Sequence, residues 1–161
     1  MFVLPEITTG PERLLLEAMM DRNRRAVIDT ARGLSETDAR KRLVTSLTTP
    51  IGLVKHAATA ERRWFPLFLL GLPESECGGP TTAGDPSFVV GEDETPAGVI
   101  AEFERASARS RETAAGFDLD DTWTHPVLGE VNLRFVYLLL IEDFARHAGH
   151  GDILREQLSA R

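Results

Sequence analysis

Residues 132–159 read NLRFVYLLLIEDFARHAGHGDILREQLS. Phe135, Leu138, Leu139, Ile141, Phe144 and Ala145 recur at three- and four-residue steps, which predicts one long helix from about Asn132 to Ser159. Asp143 and His147 interrupt it close to the same apolar stripe. An α-helix turns about 100° per residue, so positions four and seven further on return to within roughly 40° and 20° of the start. Asp143, His147 and His150 therefore point the same way. Polar groups at core-facing positions carry a desolvation cost unless they are bonded or coordinated. A carboxylate and two imidazoles on one face, with a third imidazole available from His56 on another helix, form a donor set that holds a divalent transition metal inside a helix bundle. An ordinary Asp143–His147 helix pair, with His150 meeting water at the bundle mouth, is the alternative these residues leave open. Gly149 and Gly151 flank His150, where each costs about 1 kcal/mol relative to alanine. Close packing, backbone access or a bend would compensate.

Three further long helical patterns precede this one. The first runs from about Pro11 to Ala31, with Leu14, Leu15, Ala18, Met19, Ala26, Val27 and Thr30 as its stripe and Gly33 as its stop. A short connector follows, opened by Ser35 with Asp38 three residues on, an acidic variant of the capping box. The second long helix has Thr49 as N-cap and Pro50 as its first residue, and continues IGLVKHAATAERRWFPLFLL to Gly71, with a kink or early end expected at Pro66. Thr95 and Pro96 open the third in the same way, and it reaches Gly116. Ile100, Phe103 and Ala106 form its apolar stripe, and Glu102, Arg105, Arg109 and Arg111 read as a solvated face. Between the second and third helices lies LPESECGGPTTAGDPSFVVGEDE, residues 72–94, a loop rich in glycine, proline and acid. Its length suggests a mobile cover at one end of the fold. VLGEVNLRF, residues 127–135, reads as a brief extended or hairpin-like segment too short to support a sheet alone. The predicted architecture is all-α: an antiparallel four-helix bundle forming a single domain over residues 1–161, with a long loop between helices 2 and 3.

Composition narrows the function classes. The chain has 161 residues, 42% of them hydrophobic, enough for one well-buried core. With 25 acidic against 18 basic residues the net charge is −7, which opposes binding to a polyanion. Basic residues cluster at Arg22, Arg24 and Arg25 and at Arg62 and Arg63 without an extended run, so no nucleic-acid role is expected. No apolar run approaches the roughly 20 residues that span a bilayer. The amino-terminal stretch MFVLPEITTGPERLL lacks the basic region and long apolar core of a signal peptide. A cytoplasmic protein without a membrane role is expected, and the single cysteine, Cys77, agrees with a reducing compartment. Its glycine-rich setting suggests an unremarkable exposed thiol. No G-x-S-x-G, phosphate-binding glycine loop or C-x-x-C offers another chemistry.

GLVKHAATAERRWF, the approach at residues 129–134, and IEDFARHAGHGDILRE together resemble the DinB/YfiT-like superfamily of metal-binding four-helix bundles. Their similarity is greatest to its actinobacterial mycothiol-transferase branch. GLSETDARKRLVTSLTTPIGLVKH is also similar to the connector between the family's first two helices, so the resemblance covers nearly the whole chain. It implies that His56, Asp143 and His147 bind a divalent ion, commonly zinc or nickel. Many relatives carry histidine at the position of Asp143, and often another one turn earlier, where this chain has Leu139. His150 matches the family signature without a required metal contact. The resemblance also implies a low-molecular-weight thiol, mycothiol in actinobacteria, transferred to a small electrophilic substrate or used as cofactor in its isomerisation.

The expected function is a metal-dependent thiol S-transferase or isomerase. Two alternatives of other classes stand beside it. One is a metal-dependent hydrolase of a small substrate, with Glu61 or Glu142 assisting an activated water. The other is a binding or stress protein that keeps the fold without chemistry. Glu61, Glu142 and His150 are the candidate catalytic groups. The residues set neither the metal nor the oligomeric state, and a homodimer is an open option.

Overall fold

The computed structural model describes residues 7–160. The first six residues of the stretch read for a signal peptide, and the outermost bounds of the expected domain, lie outside that range. The described residues are mostly helical, with five α-helices and a two-stranded sheet. The α-helices are α1 (Glu12–Asp29), α2 (Glu36–Ala39), α3 (Pro50–Arg62), α4 (Pro96–Ala115) and α5 (Leu133–Ser159). The sheet is an antiparallel hairpin of β1 (Thr122–His125) and β2 (Gly129–Asn132), in which Trp123 faces Val131. Only β2 lies within the segment expected to be extended, residues 127–135; β1 precedes it, and Leu133–Phe135 already belong to α5.

Capping chemistry sets the helix starts. Thr49 and Thr95 accept hydrogen bonds from the amides of Gly52 and Gly98, each with proline as the first helical residue. Ser35 accepts from the Asp38 amide, and Asn132 from that of Phe135. Pro66 does not end the second long helix. The chain passes from α3 into a π-helical stretch, Arg63–Leu69, that contains it. Proline has no amide to donate, and the wider π spacing absorbs the missing bond, with the Leu70 amide reaching Phe65 O at 3.2 Å.

α1 packs on α5 and α3 on α4, and α3 also meets α5 and α1. Met20, Val27, Ile51, Val54, Phe65, Phe103 and Phe144 lie at the centre of the resulting core. The buried face of α1 is rotated from the expected stripe. Leu16, Met20, Asn23, Arg24, Val27 and Ile28 point inward, whereas Leu14 is exposed. The reason is a buried ion pair: Arg24 Nε and Nη2 donate to the two oxygens of Glu61 at 2.7 and 3.1 Å, and the Ser107 hydroxyl lies 3.4 Å from Glu61 Oε1. A charge in the core breaks the apolar periodicity on which the stripe was read.

The expected solvated face of α4 holds at Arg105 and Arg111, which are exposed, and is corrected at Glu102. Glu102 pairs with Lys55 and with Arg62, whose guanidinium is buried. Arg109 donates to Glu76 O, and Arg111 to Asp21. Glu94, at the end of the long loop, completes the cluster by pairing with Lys55. Arg24 and Arg62 are therefore spent on internal carboxylates.

Residues 72–94 carry two 3-10 turns, Glu74–Glu76 and Asp85–Phe88, and are tied down at several points. Thr81 donates to Glu74 at 2.7 Å, and Arg40 holds the carbonyls of Gly91 and Glu94. Gly79 lies so close to the Arg62 guanidinium that a Cβ there would sit 2.6 Å from Cζ. Cys77 is buried rather than exposed, with its sulfur 3.4 Å from Pro73 O. Burial pushes its thiol up from the ordinary cysteine range, the opposite of what a reactive thiol needs.

Candidate metal centre

α3 supplies His56, and α5 supplies Asp143 and His147 one turn apart. His56 Nε2 lies 3.3 Å from Asp143 Oδ2, and His147 Nε2 lies 3.4 Å from Asp143 Oδ1. One donor atom from each of the three residues falls within 4.8 Å of the others, so the group could hold a metal ion. Among the described residues it is the one cluster of this kind. The imidazole rings are 4.6 Å apart between centroids and inclined by 69°, so their edges converge instead of stacking.

The donor set fits a divalent ion on three observations. First, two ligands held about 2.0–2.1 Å from one ion at a tetrahedral angle lie roughly 3.3–3.4 Å apart. Each imidazole-to-carboxylate separation has that length, His56 at one oxygen of Asp143 and His147 at the other. Second, the hydrogen bonds around His56 leave Nε2 as the nitrogen facing the carboxylate. The Ser87 hydroxyl lies 2.5 Å from Gly84 O, to which it donates, and 2.7 Å from His56 Nδ1. Its proton is thus committed, its oxygen accepts from Nδ1–H, and Nε2 is the ring nitrogen that faces Asp143. A proton or a cation at Nε2 satisfies the contact with the carboxylate oxygen. Third, His147 Nδ1 is buried without a hydrogen-bond partner, so only the Asp143 contact engages this ring through hydrogen bonding.

Burial pushes the Asp143 carboxyl upward, but hydrogen bonds with His147 and His56 and their positive charge outweigh it. The group stays well below the usual carboxylate range. Asp143 is therefore ionised near neutrality, the form in which it coordinates a cation.

Phe88 closes one side of the cluster. Its ring stacks on His56 at 4.2 Å and 6°, and presents an edge to His147 at 5.6 Å. Ser87 and Phe88 both come from the 3-10 turn in the long loop. That turn comes near α3 because Gly52 has no side chain; a Cβ there would lie 2.8 Å from Phe88 O. Sequence reasoning missed both residues. The available signal was small: one phenylalanine and one serine in a polar, proline-rich segment, more than thirty residues from His56.

The other expected site residues lie elsewhere. His150 is exposed and touches His147 edge to face at 5.5 Å. Glu61 is fully buried and held by Arg24 and Ser107, while Glu142 is exposed and bonded to Arg146. His125 sits in the β-hairpin, where its Nδ1 accepts the amides of Val127 and Leu128 and its ring stacks on Trp64. Leu139 is half-buried on α5, one turn before Asp143.

The sequence of residues 15–160 matches a family model described as mycothiol-S-transferase. No curated protein matches the chain. No helix among the described residues is long and apolar enough to cross a membrane.

Proposed function

The chain belongs to the mycothiol-S-transferase family, and from that premise we propose that it is a metal-dependent thiol S-transferase acting on a small electrophile. The observation that carries the reading is the convergence of His56, Asp143 and His147 from two helices. In this reading the three residues hold one zinc or nickel ion and leave a coordination position open. When bound there, such an ion lowers the pKa of a coordinating thiol enough to yield the nucleophilic thiolate near neutrality.

The chain's own residues do the rest. Asp143 supplies negative charge that offsets the cation, and Phe88 shields one face of the imidazole pair from water. His150, exposed beside His147, borders the approach to the centre and contacts entering ligands. The thiol sulfur forms a bond to the electrophilic carbon as the thiol proton is lost to solvent, and that carbon's bond to its leaving group breaks, the group departing with the electron pair. Mycothiol is the proposed thiol, and isomerisation of an electrophile through a thiol adduct is the related activity. The hydrolase reading loses support because Glu61 is already bonded to Arg24 and Ser107. The finer fold reading goes with the family: an antiparallel four-helix bundle built from α1, α3 with its π extension, α4 and α5, forming one cytoplasmic domain.

Conjugation of mycothiol to a reactive electrophile, followed with metal-loaded protein, metal-stripped protein and the His147→Ala variant, tests this function. The loaded protein is expected to form the conjugate much faster than either control. Its rate should rise with pH through a thiol pKa below the roughly 8.5 of free cysteine. Turnover of an ester or amide without any thiol would instead identify a hydrolase.

A further inference from the structure

The metal reading assigns work to three residues, whereas the geometry around His56 involves a fourth. His56 projects from α3 with both ring nitrogens engaged: Nε2 faces Asp143, and Nδ1 meets Ser87 Oγ at 2.7 Å. Ser87 is 4% exposed, and its hydroxyl is tied to Gly84 O. A buried hydroxyl with its only proton committed acts toward His56 as an acceptor. It can satisfy the ring only in the form that keeps hydrogen on Nδ1. Phe88, the next residue, lies flat on the same ring. One short turn thereby sets both the plane of the imidazole and the nitrogen it presents.

We propose that Ser87 is a positioning residue of the metal centre, holding His56 so that Nε2, and not Nδ1, is the donor to a divalent cation. The proposal rests on the metal-site reading above. A histidine ligand whose second nitrogen bonds a fixed acceptor is oriented and made more basic, and loss of such an acceptor lowers metal affinity. Without Ser87, Nδ1 of His56 lacks this bond, and the ring can offer either nitrogen or rotate away from Asp143. Phe88 limits that rotation without selecting the nitrogen, because a stacked ring does not distinguish the two. The loop between α3 and α4 thus contributes to the centre although it supplies no ligand.

The test compares zinc affinity, by competition with a chromophoric chelator, in wild type, Ser87→Ala and Ser87→Thr, with thermal unfolding of each as a check on folding. Zinc-loaded samples labelled with 15N at histidine then report which nitrogen of His56 carries hydrogen and which carries the metal. Ser87→Ala is expected to bind zinc about 10–100-fold more weakly, and to lose the slow-exchanging Nδ1 proton. Ser87→Thr, which keeps the hydroxyl, should restore both. Equal affinity in wild type and Ser87→Ala, or metal on Nδ1 of His56 in wild type, overturns the role of Ser87 and leaves the metal reading standing. Wild-type protein that binds no zinc or nickel overturns the metal reading, and with it the role of Ser87.

Discussion

Asp143 faces an imidazole with each of its two oxygens, and the consequences of removing either kind of partner differ. Alanine at His56, Asp143 or His147 should reduce zinc affinity by more than the roughly 10–100-fold typical for an outer partner. His125→Ala should leave affinity unchanged, since its Nδ1 serves the hairpin turn; equilibrium dialysis of the four variants measures this. The buried Arg24–Glu61 pair predicts an effect on stability instead. Replacing Arg24 by alanine strands a carboxylate with no exposed surface, which costs about 3–5 kcal/mol. For a chain of this length that lowers Tm by about 6–20 °C, a drop that calorimetry would register. The two sites also show what a sequence reveals at this scale. Asp143 and His147 were legible because helical spacing places them on one face. The bond of Glu61, a candidate catalytic carboxylate, to Arg24 was not legible, because a buried charge is indistinguishable from an exposed one until its partner on another helix is known. Ser87 and Phe88 were invisible for a related reason: only the folded loop brings them to His56.

Among the elements, α5 offers a direct check on how its two glycines are used. Gly151 packs against α1 so tightly that a Cβ would lie 2.1 Å from Thr30 Cγ2 and 2.4 Å from Thr30 Cβ. Gly151→Ala should destabilise by about 1–3 kcal/mol through overpacking. Gly149 meets nothing within 4 Å, so Gly149→Ala should stabilise by about 0.5–1 kcal/mol through helix propensity. Opposite shifts of the two urea midpoints would confirm the contrast, and equal shifts would refute it. The sequence had marked both glycines as costly without telling them apart, because the distinction depends on the neighbouring helix. Helix starts were legible for the converse reason, since Thr49 with Pro50, Thr95 with Pro96, Ser35 and Asn132 cap by strictly local bonds. The π-helical stretch around Pro66 was not, as a proline announces a disturbance of the helix and not the form it takes.

Over the whole molecule, acidic side chains link stability to pH. The carboxyls of Asp21, Glu94 and Asp143 all lie below their ordinary values. In each case burial acts upward and is outweighed by hydrogen bonds and neighbouring positive charge: from Arg111 and Arg24 at Asp21, from Lys55 at Glu94, and from His147 and His56 at Asp143. A carboxyl with a depressed folded-state pKa adds stability that is fully present above its unfolded value, about 3.9–4.3. That stability is lost as pH falls through the lower folded value. Urea midpoints should therefore hold above about pH 5 and decline steadily below pH 4. The all-α class was legible from the periodicity of four long segments. The hairpin was anticipated only as a short extended stretch, since its pairing depends on β1, which carries little apolar alternation. The central claim is that three residues from two helices hold a divalent ion with a position open to a thiol. Titration of metal-free protein with cobalt(II), followed in the visible and near-ultraviolet before and after addition of mycothiol, tests it most directly. The account predicts uptake of one equivalent and a new sulfur-to-cobalt charge-transfer band when mycothiol is added, both lost in His147→Ala. Absence of stoichiometric uptake, or a cobalt spectrum that mycothiol leaves unchanged, would contradict it.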